Sequence, residues 1–120
     1  MRNLWEETIE KLKNNGKTFE DVIAVYGTDF LITKENFEKV AKETDYDAGY
    51  GGQEIARDLK ILGVDFLMTR NEYDGSEWWD YFPVGNGIPK NFMYVIKLKN
   101  DNYWCETLSE MNGDDSNDEN

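Results

Sequence analysis

The apolar residues of this chain follow a helical period in the first third and a two-residue period after it. Leu4, Trp5, Thr8, Ile9 and Leu12 make a stripe at i, i+1, i+4, i+5 and i+8, which predicts a helix from Asn3 to Asn15. Asn3 can cap its start, Glu6 and Glu7 suit the positive end of the helix dipole, Lys11 and Lys13 suit the other end, and Gly16 is a good terminator. Thr18, with Asp21 three residues on, predicts a second, shorter helix whose apolar face is Phe19, Val22, Ile23 and Tyr26 and which stops at Gly27. Asp29 to Ile32 reads as a short extended link. Thr33 then caps a third helix, about Lys34 to Glu43, with Phe37, Val40 and Ala41 at core spacing. None of these short, one-sided helices would be stable alone, so they need a common surface.

From Thr44 the pattern changes. Asp45 to Gly52 holds three glycines and no aliphatic side chain larger than Ala, and reads as a loop. Gln53 to Asp58 is compatible with a loop end, a helical turn or an early strand. Strand patterns follow at Arg57 to Leu62, Val64 to Tyr73, Glu77 to Phe82, Phe92 to Leu98 and Tyr103 to Leu108, with a loop at Pro83 to Lys90 and a turn at Asn100 to Asn102. Asp74-Gly75 is a strong hairpin-turn pair. Helices followed by strands predict an α+β fold, three N-terminal helices packed on a four- or five-stranded antiparallel sheet. The expected interior includes Leu4, Ile9, Leu12, Val22, Ile23, Phe37, Val40, Leu59, Ile61, Phe66, Phe92, Tyr94 and Ile96.

Composition narrows the chemistry. The 120 residues allow one domain. Leu, Ile, Val and Phe together number only 27, but 4 Trp and 7 Tyr add large buriable side chains. There is no His and one Cys, Cys105. Serine and cysteine triads, imidazole bases, internal disulfides and cysteine- or histidine-rich zinc sites are thereby excluded. No apolar run or leader-like segment is visible, so a cytoplasmic protein without membrane contact is expected.

Charge is unevenly placed. The chain carries -12 overall, of which residues 43–80 hold -7 and residues 110–120 hold -5. The segment 110–120 has a single apolar residue and is expected to be disordered, leaving residues 1–109 as the folded domain. A surface this acidic speaks against direct nucleic-acid binding, which needs Lys and Arg on phosphates.

The acids do not assemble into a recognisable catalytic or metal motif. Asp45, Asp47, Glu54 and Asp58 invite a Ca²⁺ reading, but counted from Asp45 the sixth position is Tyr50 rather than Gly and the twelfth is Ala56, so the EF-hand pattern fails. Gly51-Gly52-Gln53 matches a release-factor tripeptide, but the ribosomal contacts that role demands need a basic surface. With 25 acids present, some pair meets any distance asked of a glycosidase, and a domain this small offers little room for a sugar cleft. No catalysis, cofactor or metal is expected.

The segment Glu72-Tyr-Asp-Gly-Ser-Glu-Trp-Trp-Asp80 is the most informative. It sets Glu72, Asp74, Glu77 and Asp80 beside Tyr73, Trp78 and Trp79 on a hairpin. Neighbours in a strand point to opposite faces, so one of Trp78 and Trp79 faces the helices and the other the far side. An exposed aromatic ringed by carboxylates is how protein interfaces anchor a basic partner. Glu72, Tyr73, Asp74, Glu77, Trp78, Trp79 and Asp80 are the expected partner-binding residues.

Gly49-Tyr-Gly-Gly-Gln-Glu-Ile-Ala-Arg-Asp-Leu59 and Asn71-Glu-Tyr-Asp-Gly-Ser-Glu-Trp-Trp79 resemble a signature of small acidic proteins from phages and mobile elements of Gram-positive bacteria. Length and overall character are also similar to phage anti-defence proteins that bind a defence-associated sirtuin and block its NAD-consuming response. The resemblance implies a stoichiometric protein inhibitor without catalysis of its own, acting on a host protein, and a monomer is expected when it is free. It assigns no contact residues. The alternative reading is a nucleic-acid mimic that fills the basic groove of a nuclease or other DNA-binding protein.

Overall fold

The computed structural model describes residues 1–47, 51–83, 89, 91–101, 104 and 106–113. Helix α1 (Leu4–Asn14) begins where its cap predicts, with the Asn3 side chain accepting the Glu6 N–H at 3.1 Å. Helix α2 (Lys34–Lys42) is capped in the same way by Thr33, which accepts from Asn36 at 3.0 Å. A short strand β1 (Arg2–Asn3), ahead of α1, pairs antiparallel with β4 (Asp45–Tyr46), which follows α2.

The second expected helix does not form. Phe19–Asp21 is a single 3-10 turn, in which the Thr18 N–H donates to the Asp21 carboxylate at 2.8 Å, and the chain then runs straight into strand β2 (Val22–Tyr26). Val22, Ile23, Val25 and Tyr26 fit the helical spacing, but β-branched and aromatic side chains favour the pleated backbone, and a sheet is there to receive them. Ile23 is consequently exposed rather than buried.

The main sheet has five antiparallel strands in the order β3-β2-β5-β6-β7, with β3 at Leu31–Ile32, β5 at Lys60–Gly63, β6 at Phe66–Tyr73 and β7 at Ser76–Pro83. On one face Val25, Ile61, Phe66, Met68 and Trp79 pack with Leu4 and Leu12 of α1 and Phe37, Val40 and Ala41 of α2 in a single core, against which Ile9 is half-buried. On the other face Ala24, Tyr26, Leu31 and Leu62 form a smaller cluster joined by Leu67. The turn from β5 to β6 is closely packed. A Cβ on Gly63 would lie 1.9 Å from the Phe66 ring, which stacks on Tyr81 with centroids 5.1 Å apart.

The expected strand at 92–98 is the largest departure. Residues 91–99 form no regular strand, with bends at Ile96 and Leu98, and among the described residues their ladder pairing is limited to single bridges, Phe92 with Leu31 and Lys99 with Ile55. Side-chain amides take the place of a ladder. Asn36 accepts from Val95 N at 2.8 Å and donates to Val95 O at 3.1 Å, while Asn112 accepts from Ile96 N and Lys97 N, each at 2.8 Å. This clamp turns Val95 inward and leaves Phe92, Tyr94 and Ile96 outside, while Leu98, of their own alternating set, is buried, so no single two-residue phase runs through the segment.

The C-terminal segment also differs. Thr107 and Glu110 exchange hydrogen bonds as a capping box and start helix α3 (Leu108–Asn112), so the boundary expected at residue 109 falls inside a helix and Met111 is packed in the core. The strand expected to run from Tyr103 to Leu108 therefore ends as a helix start, and Tyr103 and Cys105 lie outside the described residues, as do 114–120. Two helices, not three, precede the large hairpin, and the third closes the described chain. No helix among the described residues is long and apolar enough to cross a membrane.

Candidate functional site

The β6–β7 hairpin supplies the site. Its turn is Asp74-Gly75, with φ of 54° and 87°, the left-handed pair of a type I′ turn, which matches the twist of the two strands. Pairing is unbroken from Tyr73 opposite Ser76 to Phe66 opposite Pro83. The register gives the hairpin two chemically different faces.

The inner face is a buried polar network. Arg70 sits opposite Trp79, and its side chain is fully enclosed. Its guanidinium lies 4.8 Å from the Trp79 ring and 5.6 Å from the Tyr46 ring. It donates to Glu7 at 3.2 Å, to Tyr46 Oη at 3.1 Å and to Glu77 at 3.2 Å. Tyr46 donates its hydroxyl to Glu7, and Trp79 donates its indole N–H to Thr8 Oγ1 at 2.9 Å. Glu77 also accepts the backbone N–H groups of Glu54 at 2.6 Å and Ile55 at 3.2 Å, tying the chain ahead of β5 to the hairpin.

Burial dominates the electrostatics here. It pushes the Tyr46 phenol up, the Glu7 carboxylate adds to the rise and the Arg70 charge opposes it. It also pushes Glu77 above the usual carboxylate value, although the Glu54 N–H, Arg70 and the Ile55 N–H all pull the other way. For Arg70 burial acts downward, but Glu7, Tyr46 and Glu77 together outweigh it and the guanidinium is held above its ordinary value. Two carboxylates around one guanidinium is an arrangement that holds elements together.

The outer face and the tip are different. Tyr73 is 76% exposed. Glu72 and Asp74 are exposed beside it, and Trp78 and Asp80 are half-buried. Trp78 donates its indole N–H to Asp80 Oδ1 at 2.9 Å, and Asn71 donates to Asp80 Oδ2 at 2.9 Å. Phe82, 46% exposed, continues this face.

Of the seven residues expected to meet a partner, Glu72, Tyr73, Asp74, Trp78 and Asp80 therefore lie at the surface or half-buried. Glu77 and Trp79 lie inside, at 3% and 1% exposure. They support the hairpin from beneath because the alternation that turns Trp78 outward turns both of them inward. The sequence reading missed Asn71, Phe82 and Arg70. The turn could have located all three. With Asp74-Gly75 as the loop, counting back sets Asn71 opposite Trp78, Arg70 opposite Trp79 and Leu67 opposite Phe82. Asp45 and Asp58, whose Ca²⁺ reading already fails on spacing, serve separate contacts: Asp58 accepts from Thr28 N and Leu108 N, each at 2.9 Å, while Asn3 donates to Asp45 at 2.9 Å. Among the described residues no group of three or more potential ligand side chains could hold a metal ion. No protein-family model, curated protein or solved structure matches this chain.

Proposed function

We propose that this chain is a stoichiometric binding protein that occupies a basic surface of a larger host protein and inhibits it, without catalysis of its own. The observation that carries this reading is the tip and outer face of the β6–β7 hairpin. Tyr73 projects between Glu72 and Asp74 from a fully paired ladder whose underside is locked by Arg70. Such a hairpin presents its aromatics with little ordering cost, so more of the contact energy appears as affinity. The net charge of -12 steers a basic partner toward it. The resemblance of its motifs to small acidic phage proteins nominates an anti-phage defence effector, a sirtuin-type NADase, as the first target.

The test is titration of the purified chain into a purified sirtuin-type defence NADase while NAD consumption is followed. Inhibition saturating at a fixed molar ratio is expected, with Tyr73→Ala and Trp78→Ala each weakening it by about 30-fold, the equivalent of about 2 kcal/mol at an interface anchor. A folded Tyr73→Ala/Trp78→Ala double variant with undiminished inhibition would remove the hairpin from the interface. Competition by duplex DNA with a steep loss of affinity in salt would favour mimicry of nucleic acid instead.

A further inference from the structure

The hairpin carries two indole–carboxylate pairs back to back, and only one of them is filled. On the inner face the Arg70 guanidinium stacks at 4.8 Å over the Trp79 ring and pairs with Glu77 at 3.2 Å. On the outer face Trp78 lies beside Asp80. Two hydrogen bonds, from Trp78 Nε1 and from Asn71 Nδ2, each 2.9 Å, fix the plane of that carboxylate. Here the residue opposite Trp78 is the neutral Asn71. No lysine or arginine among the described residues lies within ion-pair distance of Asp80. The outer face thus offers an indole and a carboxylate as the inner face does, with the difference that Trp78 bonds Asp80 itself while Trp79 bonds Thr8.

Resting on the inhibitor reading above, we infer that the outer face of this hairpin is a receptor for an arginine side chain of the partner protein, stacked on Trp78 and paired with Asp80. Tyr73 and Phe82 share this face and flank the position the aliphatic stem would cross. Each Asp80 oxygen accepts one bond within the protein and keeps a further lone pair, so the carboxylate can still receive a forked donor. Arginine fits better than lysine because its guanidinium is planar, weakly hydrated and able to stack and fork at once. A second copy is disfavoured as the occupant, since each copy carries -12.

The probe is an eight-residue peptide of alternating arginine and threonine, titrated into the full chain and followed by the indole N–H resonances in ¹H–¹⁵N spectra. The Trp78 indole and the Asn71 side-chain amide should shift saturably. The Trp79 indole, enclosed and bonded to Thr8, should stay in place. The lysine counterpart should bind at least about threefold more weakly. Asp80→Asn should weaken the arginine peptide at least about tenfold, and Glu35→Gln, the same charge change at an exposed position on α2, by less than about threefold. If Asp80→Asn fails to fold, Asn71→Ala decides in its place, and unchanged affinity in it counts against the receptor.

A Trp78 indole that does not move at saturation, or equal weakening by Asp80→Asn and Glu35→Gln, overturns the inference and leaves only bulk charge attraction. Inhibition of the NADase by the full chain would survive that result. Conversely, a Trp78 shift with no NADase inhibition would sustain the arginine receptor and sink the target.

Discussion

Trp79 Nε1 donates to Thr8 Oγ1 across 2.9 Å, and the same hydroxyl donates to the Leu4 carbonyl at 2.7 Å. One buried hydroxyl thus satisfies the hairpin's inner indole and joins β7 to the first turn of α1. Thr8→Val keeps the shape and removes the acceptor. It should destabilise the protein by about 1–3 kcal/mol, the cost of a buried donor left unsatisfied. Thr8→Ser should recover most of that. Urea unfolding of the three proteins measures both differences.

Arg70 is buried between the carboxylates of Glu7 and Glu77. Arg70→Met fills similar volume but strands two carboxylates in the interior, and about 3–5 kcal/mol of stability should be lost. A triple variant that also carries Glu7→Gln and Glu77→Gln should be more stable than Arg70→Met alone. If the two unfold at the same urea concentration, the carboxylates are not what Arg70 compensates.

Glu77 gives the stability curve a sign. Burial raises it above the usual carboxylate value in the folded state. The folded protein therefore holds that proton more tightly than the unfolded chain does. The stabilisation from the bound proton is complete below the unfolded value and is lost as pH rises through the folded one. Wild-type stability measured relative to Glu77→Gln should fall as pH rises from about 4 across that window and be flat above it. A relative gain over the same range would mean that the pairing with Arg70 outweighs burial.

The C-terminal helix makes truncation position-sensitive. Met111 packs in the core, and Asn112 bonds Ile96 N, Lys97 N, Lys97 O and Leu108 O at 2.8 to 2.9 Å. A chain ending at Gly113 should melt within about 2 °C of the full chain. One ending at Ser109 should lose more than about 5 °C, on the order of 1 kcal/mol for a domain of this size. Equal melting temperatures would show that Met111 and Asn112 contribute nothing to the fold.

Gly63 should tolerate no side chain. A Cβ there would meet Phe66 Cε1 at 1.9 Å and Cζ at 2.2 Å, and that ring is buried and stacked. Gly63→Ala should destabilise by about 1–3 kcal/mol through overpacking, read from the same urea curves.

What the sequence made legible was local. Asn3 and Thr33 announce their helices through cap chemistry within three residues, and Asp74-Gly75 announces the hairpin and its register. The misread segments were decided by contacts distant in the chain. Val22 to Tyr26 satisfies both periods, and its pairing with β5 chose the strand. At Phe92 to Leu98 both alternate sets are largely apolar, and the side chains of Asn36 and Asn112, far away in sequence, selected Val95 for the interior. For the candidate site, the residues of the surface were named from local pattern. Which of them faced inward needed only one anchor, namely that Arg70, opposite Trp79, meets Glu7 from α1. Two local signals were overlooked, the register that Asp74-Gly75 imposes on Arg70 and Asn71 and the Thr107–Glu110 capping box.

The left-handed turn at Asp74 and Gly75 bears on folding kinetics as well as on shape. The β6–β7 ladder starts with Tyr73 opposite Ser76, enclosing two residues, whereas the nearest β5–β6 and β2–β3 pairs, Leu62 with Leu67 and Tyr26 with Leu31, enclose four, so β6–β7 closes with the smallest loop entropy in the sheet. Hairpins of this kind form in about 1–10 μs, whereas the β2–β5 pairing must wait for a chain of intervening residues that includes α2. The segment that displays Tyr73 and Trp78 is thus also the one best placed to nucleate the domain. Gly75→Ala, at a φ of 87°, should slow refolding more than it speeds unfolding, read from the two arms of a urea chevron, so that one turn residue would govern both the shape of the hairpin and the rate at which the domain becomes native.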